Sequence, residues 1–401
     1  MSIKVEFAPR ASLDECLQIN QLRNKLTDQL QPDGIPNDLN TDLNLLRWIR
    51  SFHGNFEKIT KNFCAYVESR KAAGFDSENL PETFFQLPHI KPFLLLVAAS
   101  RLHDKLWVDE RNAFIFLERA CDQPKEFIKT LRCSNYQLHC FGYSELLLQL
   151  VLRREKNQSA DKGPVQIIVL FDLALVHLKD YINLHSTHMK YWQMRCNLWQ
   201  DWYPGLAQKI YLLNPPRLFS TAWKFARLFL HRDNLELIEF ITNHKDLQSY
   251  LPSCVIPREY GGEFVNKMML DICDESGLSL RKKISPENYI KENELYRIKK
   301  IEPPKLKRKE ILADSVFVES ITLPDNHTVL LWSFTCSHDI EFTIYDRKKR
   351  LLYPRFHLFT TNLPEEGILE NLTPNSEFFF EFRATAHYSN TQLDYAICST
   401  F

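Results

Sequence analysis

The chain has 401 residues, with 50 basic and 50 acidic side chains, so its formal net charge is zero and electrostatics alone names no partner. Its 44% of apolar residues can fill buried cores, and at about 150 residues per domain its length fits two to three domains, which argues against intrinsic disorder. Glycine contributes only 10 residues, against a usual share of about 7%, so glycine-rich phosphate loops have almost no raw material.

The first 75 residues read as helices. Ser12-Leu13-Asp14-Glu15 has capping-box spacing, and Leu22, Leu26 and Leu30 continue an apolar face. A second helix from about Thr41 carries Leu43, Leu46 and Ile49, and a third carries Phe56, Ile59, Phe63 and Val67, with Gly74 as its stop. From 76 to 264 strands alternate with helices. Residues 113–117, 165–171 and 209–213 are short β-branched or aromatic runs that suit buried strands, whereas 144–156 and 178–202 read as helices. This alternation predicts an α/β layer structure.

Residues 265–309 read as a basic linker, because the stretch from 281 to 309 holds 11 Lys and Arg against 4 Glu and ends in Lys305, Lys307, Arg308 and Lys309. Three readings of this arm stay open: a solvated linker, attraction to anionic lipid headgroups, and nucleic-acid binding, which lacks a base-reading motif. Beyond it the hydrophobic period becomes two, with Leu330, Trp332 and Phe334, then Ile340, Phe342 and Ile344, then Phe378, Phe380 and Phe382, then Leu393, Tyr395 and Ile397. Residues 310–401 therefore predict an all-β sandwich.

The 10 Cys are scattered singly, as expected of reduced cytosolic thiols, and neither a signal peptide nor a spanning helix is expected. No HExxH, Walker or GxGxxG pattern occurs, and Gly142-Tyr143-Ser144-Glu145-Leu146 lacks the second glycine of a nucleophile elbow. His185 and His188 stand three apart without an acidic or Cys partner at ligand spacing. Asp172 closes an apolar strand, where a hydrogen-bonded structural acceptor is favoured over a catalytic acid. We therefore expect no enzyme activity, no metal and no cofactor.

Residues 203–262 are the most informative. A strand ends in Asn214-Pro215-Pro216; a segment at 219–230 is apolar over more than half its circumference through Trp223, Phe225, Leu228 and Phe229; and Pro257-Arg258-Glu259-Tyr260-Gly261-Gly262 closes the stretch. This order of motifs resembles the CRAL-TRIO lipid-binding domain, expected over 76–264. Leu45-Leu46-Arg47-Trp48-Ile49-Arg50 looks like the helical segment that precedes it, expected over 1–75, and residues 330–344 are similar to a GOLD domain, a jelly-roll sandwich.

The resemblance implies a sheet-floored apolar pocket for one phospholipid or isoprenoid-type lipid, gated by the helix at 219–230. A lipid of about 30 methylenes would cost roughly 25 kcal/mol to expose to water, so a soluble carrier must enclose it. By the same resemblance Ile167, Val169, Phe171, Tyr211, Leu213, Phe219, Trp223, Phe225 and Leu228 would meet the ligand. Lys224, Arg227, Lys305, Lys307, Arg308 and Lys309 would meet the membrane. Relatives that grip phosphoinositides carry Glu, Thr and Lys where this chain has Gly205, Asn234 and Leu237, so that grip is absent.

The expected activity is that of a cytosolic lipid carrier with peripheral association with Golgi or other internal membranes. The alternative is a non-transferring trafficking adaptor that recruits proteins or membranes through the GOLD-like domain and the basic arm. The zero net charge also resolves into opposites: 281–309 carries +7 and 310–401 carries −7, so the arm either folds back on the sandwich or is free for anionic membranes.

Overall fold

The computed structural model describes residues 8–87, 90, 98–99, 106–121, 123–177, 186–217, 219, 223–224, 227–264 and 283–401. Two compact units emerge, one of residues 1–64, 78–124 and 140–283, the other of 65–77, 125–139 and 284–401.

The first unit opens with helices α1 (Leu13–Gln29) and α2 (Asp42–Ser51) and the start of α3 (Phe56–Ala72). Ser12 and Glu15 close the capping box that starts α1, and Arg50 reaches back from α2 to Glu15 at 2.7 Å. That guanidinium holds the Glu15 carboxyl down at about 2. Leu45, Leu46, Trp48 and Ile49 of α2 are buried, as is Arg47, whose guanidinium pairs with the buried Glu155 and donates to the Val165 carbonyl at 2.7 Å. Glu155 in turn accepts from the Val165 amide at 2.7 Å, so one ion pair pins α2 to the chain just ahead of a central strand.

The sheet of this unit has six strands: β1 (Ala98–Ala99), β2 (Trp107–Val108), β3 (Ala113–Arg119), β4 (Gln166–Asp172), β5 (Ala207–Leu213) and β6 (Ile238–Ile241). The order is β1-β3-β4-β5-β6, with β2 also on β3; β3 to β6 run parallel. Parallel neighbours need long crossovers. After the short helices α4 (Leu80–Thr83) and α5 (Pro124–Phe127), α6 (Cys133–Lys156) supplies the crossover from β3 to β4. Helix α7 (Thr187–Trp202) supplies the one from β4 to β5, and α8 (Arg232–Glu236) precedes β6. The helix expected over 178–202 is thus α7; residues 178–185 lie outside the described residues.

Strands covered on both sides carry apolar residues at every position. Ile115, Leu117, Ile168, Leu170, Tyr211, Leu213 and Ile241 point to one face, where Leu247, Leu251, Val255, Ile256 and Tyr260 cover them. That cover turns back through the motif at 257–262. Gly261 has φ +85°, and a Cβ on Gly262 would lie 2.0 Å from the Ile256 carbonyl oxygen, so this turn has no room for a side chain.

The second unit holds two antiparallel four-stranded sheets, ordered β11-β10-β13-β8 and β12-β9-β14-β7. The strands are β7 (Lys307–Ile311), β8 (Val316–Thr322), β9 (Val329–Cys336), β10 (Ile340–Asp346), β11 (Leu351–Leu358), β12 (Glu365–Leu369), β13 (Glu377–Ala384) and β14 (Thr391–Thr400). The period-two residues fill its core: Phe342 lies 5.1 Å from Phe334 and 5.0 Å from Phe382, ring centre to ring centre. The predicted fold class, helices and an α/β region followed by an all-β sandwich, is the one observed.

The basic linker is corrected. Residues 265–282 lie outside the described residues, but 284–309 are built into the second unit. Tyr296, on helix α9 (Glu294–Ile298), is fully buried against Val329 and Leu331, with Leu295 and Ile301 beside it. Lys307, Arg308 and Lys309 form edge strand β7. Arg308 takes Asp394 at 2.7 and 3.0 Å, Lys307 takes Glu319 at 2.6 Å, and Lys309 stands over the Phe317 ring. A local charge of +7 concealed a short apolar stripe, and acidic side chains of the sandwich pair with Lys307 and Arg308. Lys305 stays exposed.

Within this unit Ser134, in the first turn of α6, donates its amide and hydroxyl to the buried Glu365 at 3.0 and 2.5 Å. The neighbouring Arg132 pairs with Glu366 at 2.7 Å. Burial pushes the Glu365 carboxyl up to about 7, against the pull of Ser134 and Arg132. A raised carboxyl contributes stability that is complete below its unfolded value and is lost as pH climbs through its folded value.

Two predictions follow from these buried charges. Between pH 4.5 and 7 the wild type should lose on the order of 3 kcal/mol relative to Glu365→Gln, read as the difference between their urea midpoints at each pH. Arg47→Met strands the buried Glu155 carboxylate and should cost about 3–5 kcal/mol in the same assay, with a loss under 1 kcal/mol refuting its role as the pin.

Candidate functional site

The opposite face of the parallel sheet floors a cavity. Register fixes which residues reach it: Phe116 stands beside Val169, Val169 beside Ile210, and Ile210 beside Ile238. The next row on the same face runs Glu118, Phe171, Leu212 and Phe240. Against this floor lies a cavity of about 1190 Å³, part of it open to solvent. Trp192, Cys196 and Trp199 of α7 form one wall, Tyr203, Pro204 and Gly205 another, and Ser51 and Phe52 at the end of α2 a third. Trp223, Leu230, His231, Asp233, Asn234 and Leu237 complete the lining, with His231 and Asp233 exposed.

The walls are mostly aromatic and aliphatic, and their charges are paired. Arg195, half-buried on α7, donates through both terminal nitrogens to Glu118, one bond being 2.5 Å. Asp233 meets His53 at 2.6 Å. Gln200 donates to the Phe229 carbonyl at 2.9 Å and accepts from the His231 amide at 2.5 Å and from Asn234 at 3.1 Å, which anchors the 229–234 segment to α7. Burial pushes the Cys196 thiol up to about 12, so it behaves as an apolar wall residue. Trp192 carries a buried indole N–H with no acceptor among the described residues.

The expected ligand residues divide. Val169, Phe171 and Trp223 line the cavity, joined by Ile210 and Leu212, which sequence reading missed. Tyr211 and Leu213 are corrected: they belong to the core on the other face. Both faces of β5 are apolar, and only the register, which sets Ile210 beside Val169, tells them apart. Ile167 is fully buried in the floor without lining the cavity. Phe219 stacks with Trp223 at 6.4 Å behind the wall. Phe225 lies outside the described residues.

Leu228 is also corrected. It is 67% exposed and sits in a 3-10 turn, Arg227–Phe229, where a continuous helix to 230 was expected. Lys224 and Arg227 are exposed beside it. Phe240, 38% exposed, packs edge-on against Trp223 at 5.1 Å and extends this apolar rim with a cationic border.

Gly205, Asn234 and Leu237 all line the cavity. Gly205 has φ +67°, and a Cβ there would lie 3.3 Å from Cβ of Arg47 and 3.1 Å from the Ser51 hydroxyl oxygen. The backbone at this point approaches α2 too closely for a side chain to extend freely.

Asp172 is the structural acceptor expected of it. Only 3% exposed, it accepts from Asn214 Nδ2 at 3.0 Å, from the Ala174 amide at 3.0 Å and from the Tyr260 hydroxyl at 2.8 Å, with Arg119 Nε at 3.3 Å. Asn214 holds a left-handed backbone, φ +50°, and its other amide atom meets His244 at 3.0 Å. Two of the recognised motifs thus converge on one carboxylate.

Residues 111–262, which contain the parallel sheet and most of the cavity walls, match the model of the CRAL/TRIO domain. Over 402 residues the chain is 50% identical to a CRAL-TRIO domain-containing protein of Caenorhabditis elegans, covering 99% of each. Among solved structures, Sfh5 aligns at 14% identity with a TM-score of 0.46, over 73% of this chain and 98% of that one. A CBM4 module aligns at 12% identity with a TM-score of 0.18, over 24% of this chain and 84% of that one. The full-length match and the domain model agree on one assignment: the chain belongs to the CRAL-TRIO domain family.

Proposed function

We propose that this protein encloses one hydrophobic lipid in the cavity on this face of its parallel sheet and exchanges it at membrane surfaces. The CRAL-TRIO family is a lipid-binding one, and the observation that carries the reading here is the cavity itself. Its floor and walls are mostly apolar, its Arg195 is paired with Glu118, and its Asp233 contacts His53. An apolar guest gains about 0.8 kcal/mol per buried methylene in such a space. No helix among the described residues is long and apolar enough to cross a membrane, so contact with a bilayer would be peripheral.

In this proposal the segment from 219 to 230 is the gate. Its described part supports that role: Trp223 lines the cavity, while Leu228, Lys224 and Arg227 face outward as an apolar and cationic rim suited to a headgroup layer. The C-terminal sandwich, proposed as GOLD-like, would serve recruitment to internal membranes or to a protein partner from a cytoplasmic pool. The pairing of Lys307 and Arg308 with acidic neighbours shifts the expected membrane face from the arm to the rim.

Protein isolated gently from cells should yield a stoichiometric apolar ligand by native and lipid mass spectrometry; repeated recovery of none would sink the reading. Leu228→Asp replaces an exposed side chain and should leave the circular dichroism spectrum unchanged. It should slow lipid transfer between vesicles by roughly tenfold, the equivalent of about 1.4 kcal/mol of lost apolar contact.

A further inference from the structure

The cavity contains a charged side chain that its apolar character does not require. Arg195 lies on the wall, and a guanidinium beside a lipid site is the natural partner of a phosphate or carboxylate. Here it is already engaged. Glu118 stands in the floor row beside Phe171, on the cavity face of the sheet, and takes both terminal nitrogens of Arg195 in the two-point geometry that an external anion would use. The Glu118 side chain is 8% exposed and that of Arg195 24%, so the pair is shielded and its members compensate each other where water is scarce.

The other charge on the lining, Asp233, is negative and meets His53. Among the described lining residues Arg195 is the sole Lys or Arg; the remaining basic side chain, His231, is exposed on the 229–234 segment. Gly205, Asn234 and Leu237, also on the lining, add no charge. The buried indole N–H of Trp192 is by contrast a neutral donor, suited to an ester, hydroxyl or carbonyl oxygen.

We propose that Glu118 is a specificity-determining residue: as a built-in counter-ion it occupies Arg195, so that the cavity selects an uncharged lipid and rejects the same chain ending in an anion. An anionic ligand would have to displace Glu118 from the guanidinium and leave a buried carboxylate unpaired, a cost that a neutral ligand avoids. The inference rests on the lipid-cavity reading and deepens it, by naming the ligand class and the residue that imposes it.

Fluorescence titration of the full-length protein with cis-parinaric acid and with its methyl ester separates the two, because the probes share a chain and differ in charge. The wild type should bind the ester roughly tenfold tighter than the ionised acid, the weight of one charge-assisted hydrogen bond. Glu118→Gln keeps the shape, releases Arg195, and should raise affinity for the acid by a similar factor with the ester unchanged. The double variant E118Q/R195Q should return the preference to the ester. Equal wild-type affinity for acid and ester overturns the proposal without any variant, and so does a folded E118Q whose ratio is unaltered. Binding of neither probe by any form overturns the lipid-cavity reading, and this inference with it.

Discussion

The buried carboxylate of Asp172 is the interaction on which the arrangement of the first unit depends. A charge with 3% exposure is tolerated only if its surroundings satisfy it, and the groups that do so come from four parts of the chain. Arg119 ends β3, Ala174 follows β4, Asn214 follows β5, and Tyr260 belongs to the closing turn. The ends of three parallel strands and the segment that covers one face of the sheet are thereby tied at a single point. Burial and the neighbouring carboxylate push the Tyr260 phenol well above its usual range, so it remains a donor at any physiological pH.

With one face sealed by residues 247–264, the other is free to floor a cavity. The same alternation of side chains serves both: even positions of β4 and odd positions of β5 enter the sealed core, and their neighbours meet the cavity. Charge follows a similar economy. Arg195 forms a closed ion pair with Glu118, and His53 meets Asp233, which leaves a mostly apolar interior.

Much of this was legible in the sequence. The capping box at Ser12–Glu15, the helical periods of Leu22 and Leu26, the strand runs at 113–117 and 165–171, and the period-two residues of the sandwich are local signals, and each of these elements formed. The motifs around Asn214 and Tyr260 were visible as patterns, but their meeting at Asp172 spans 88 positions between Tyr260 and its acceptor. Non-local facts decided the misplaced residues. Whether Tyr211 or Ile210 faces the cavity is a matter of register between β4 and β5, since both residues are apolar enough for either face. The basic stretch looked like an arm because its cations dominate the local composition, whereas its place on the sandwich is set by Tyr296 and by acidic residues up to 86 positions away, such as Asp394 for Arg308. The Glu118–Arg195 pair, 77 positions apart, left no sequence signal at all.

Gly205 bears on how α2 is held. Its left-handed backbone is wedged against Arg47 and Ser51 of α2, and Arg47 is itself locked to Glu155 and Val165. A glutamate at this position would have to arise in a conformation that side chains disfavour and in a space that α2 already fills. Position 205 and the hold of α2 on the sheet are thus mechanically linked: a side chain there would press on the residue that the Glu155 ion pair keeps in place.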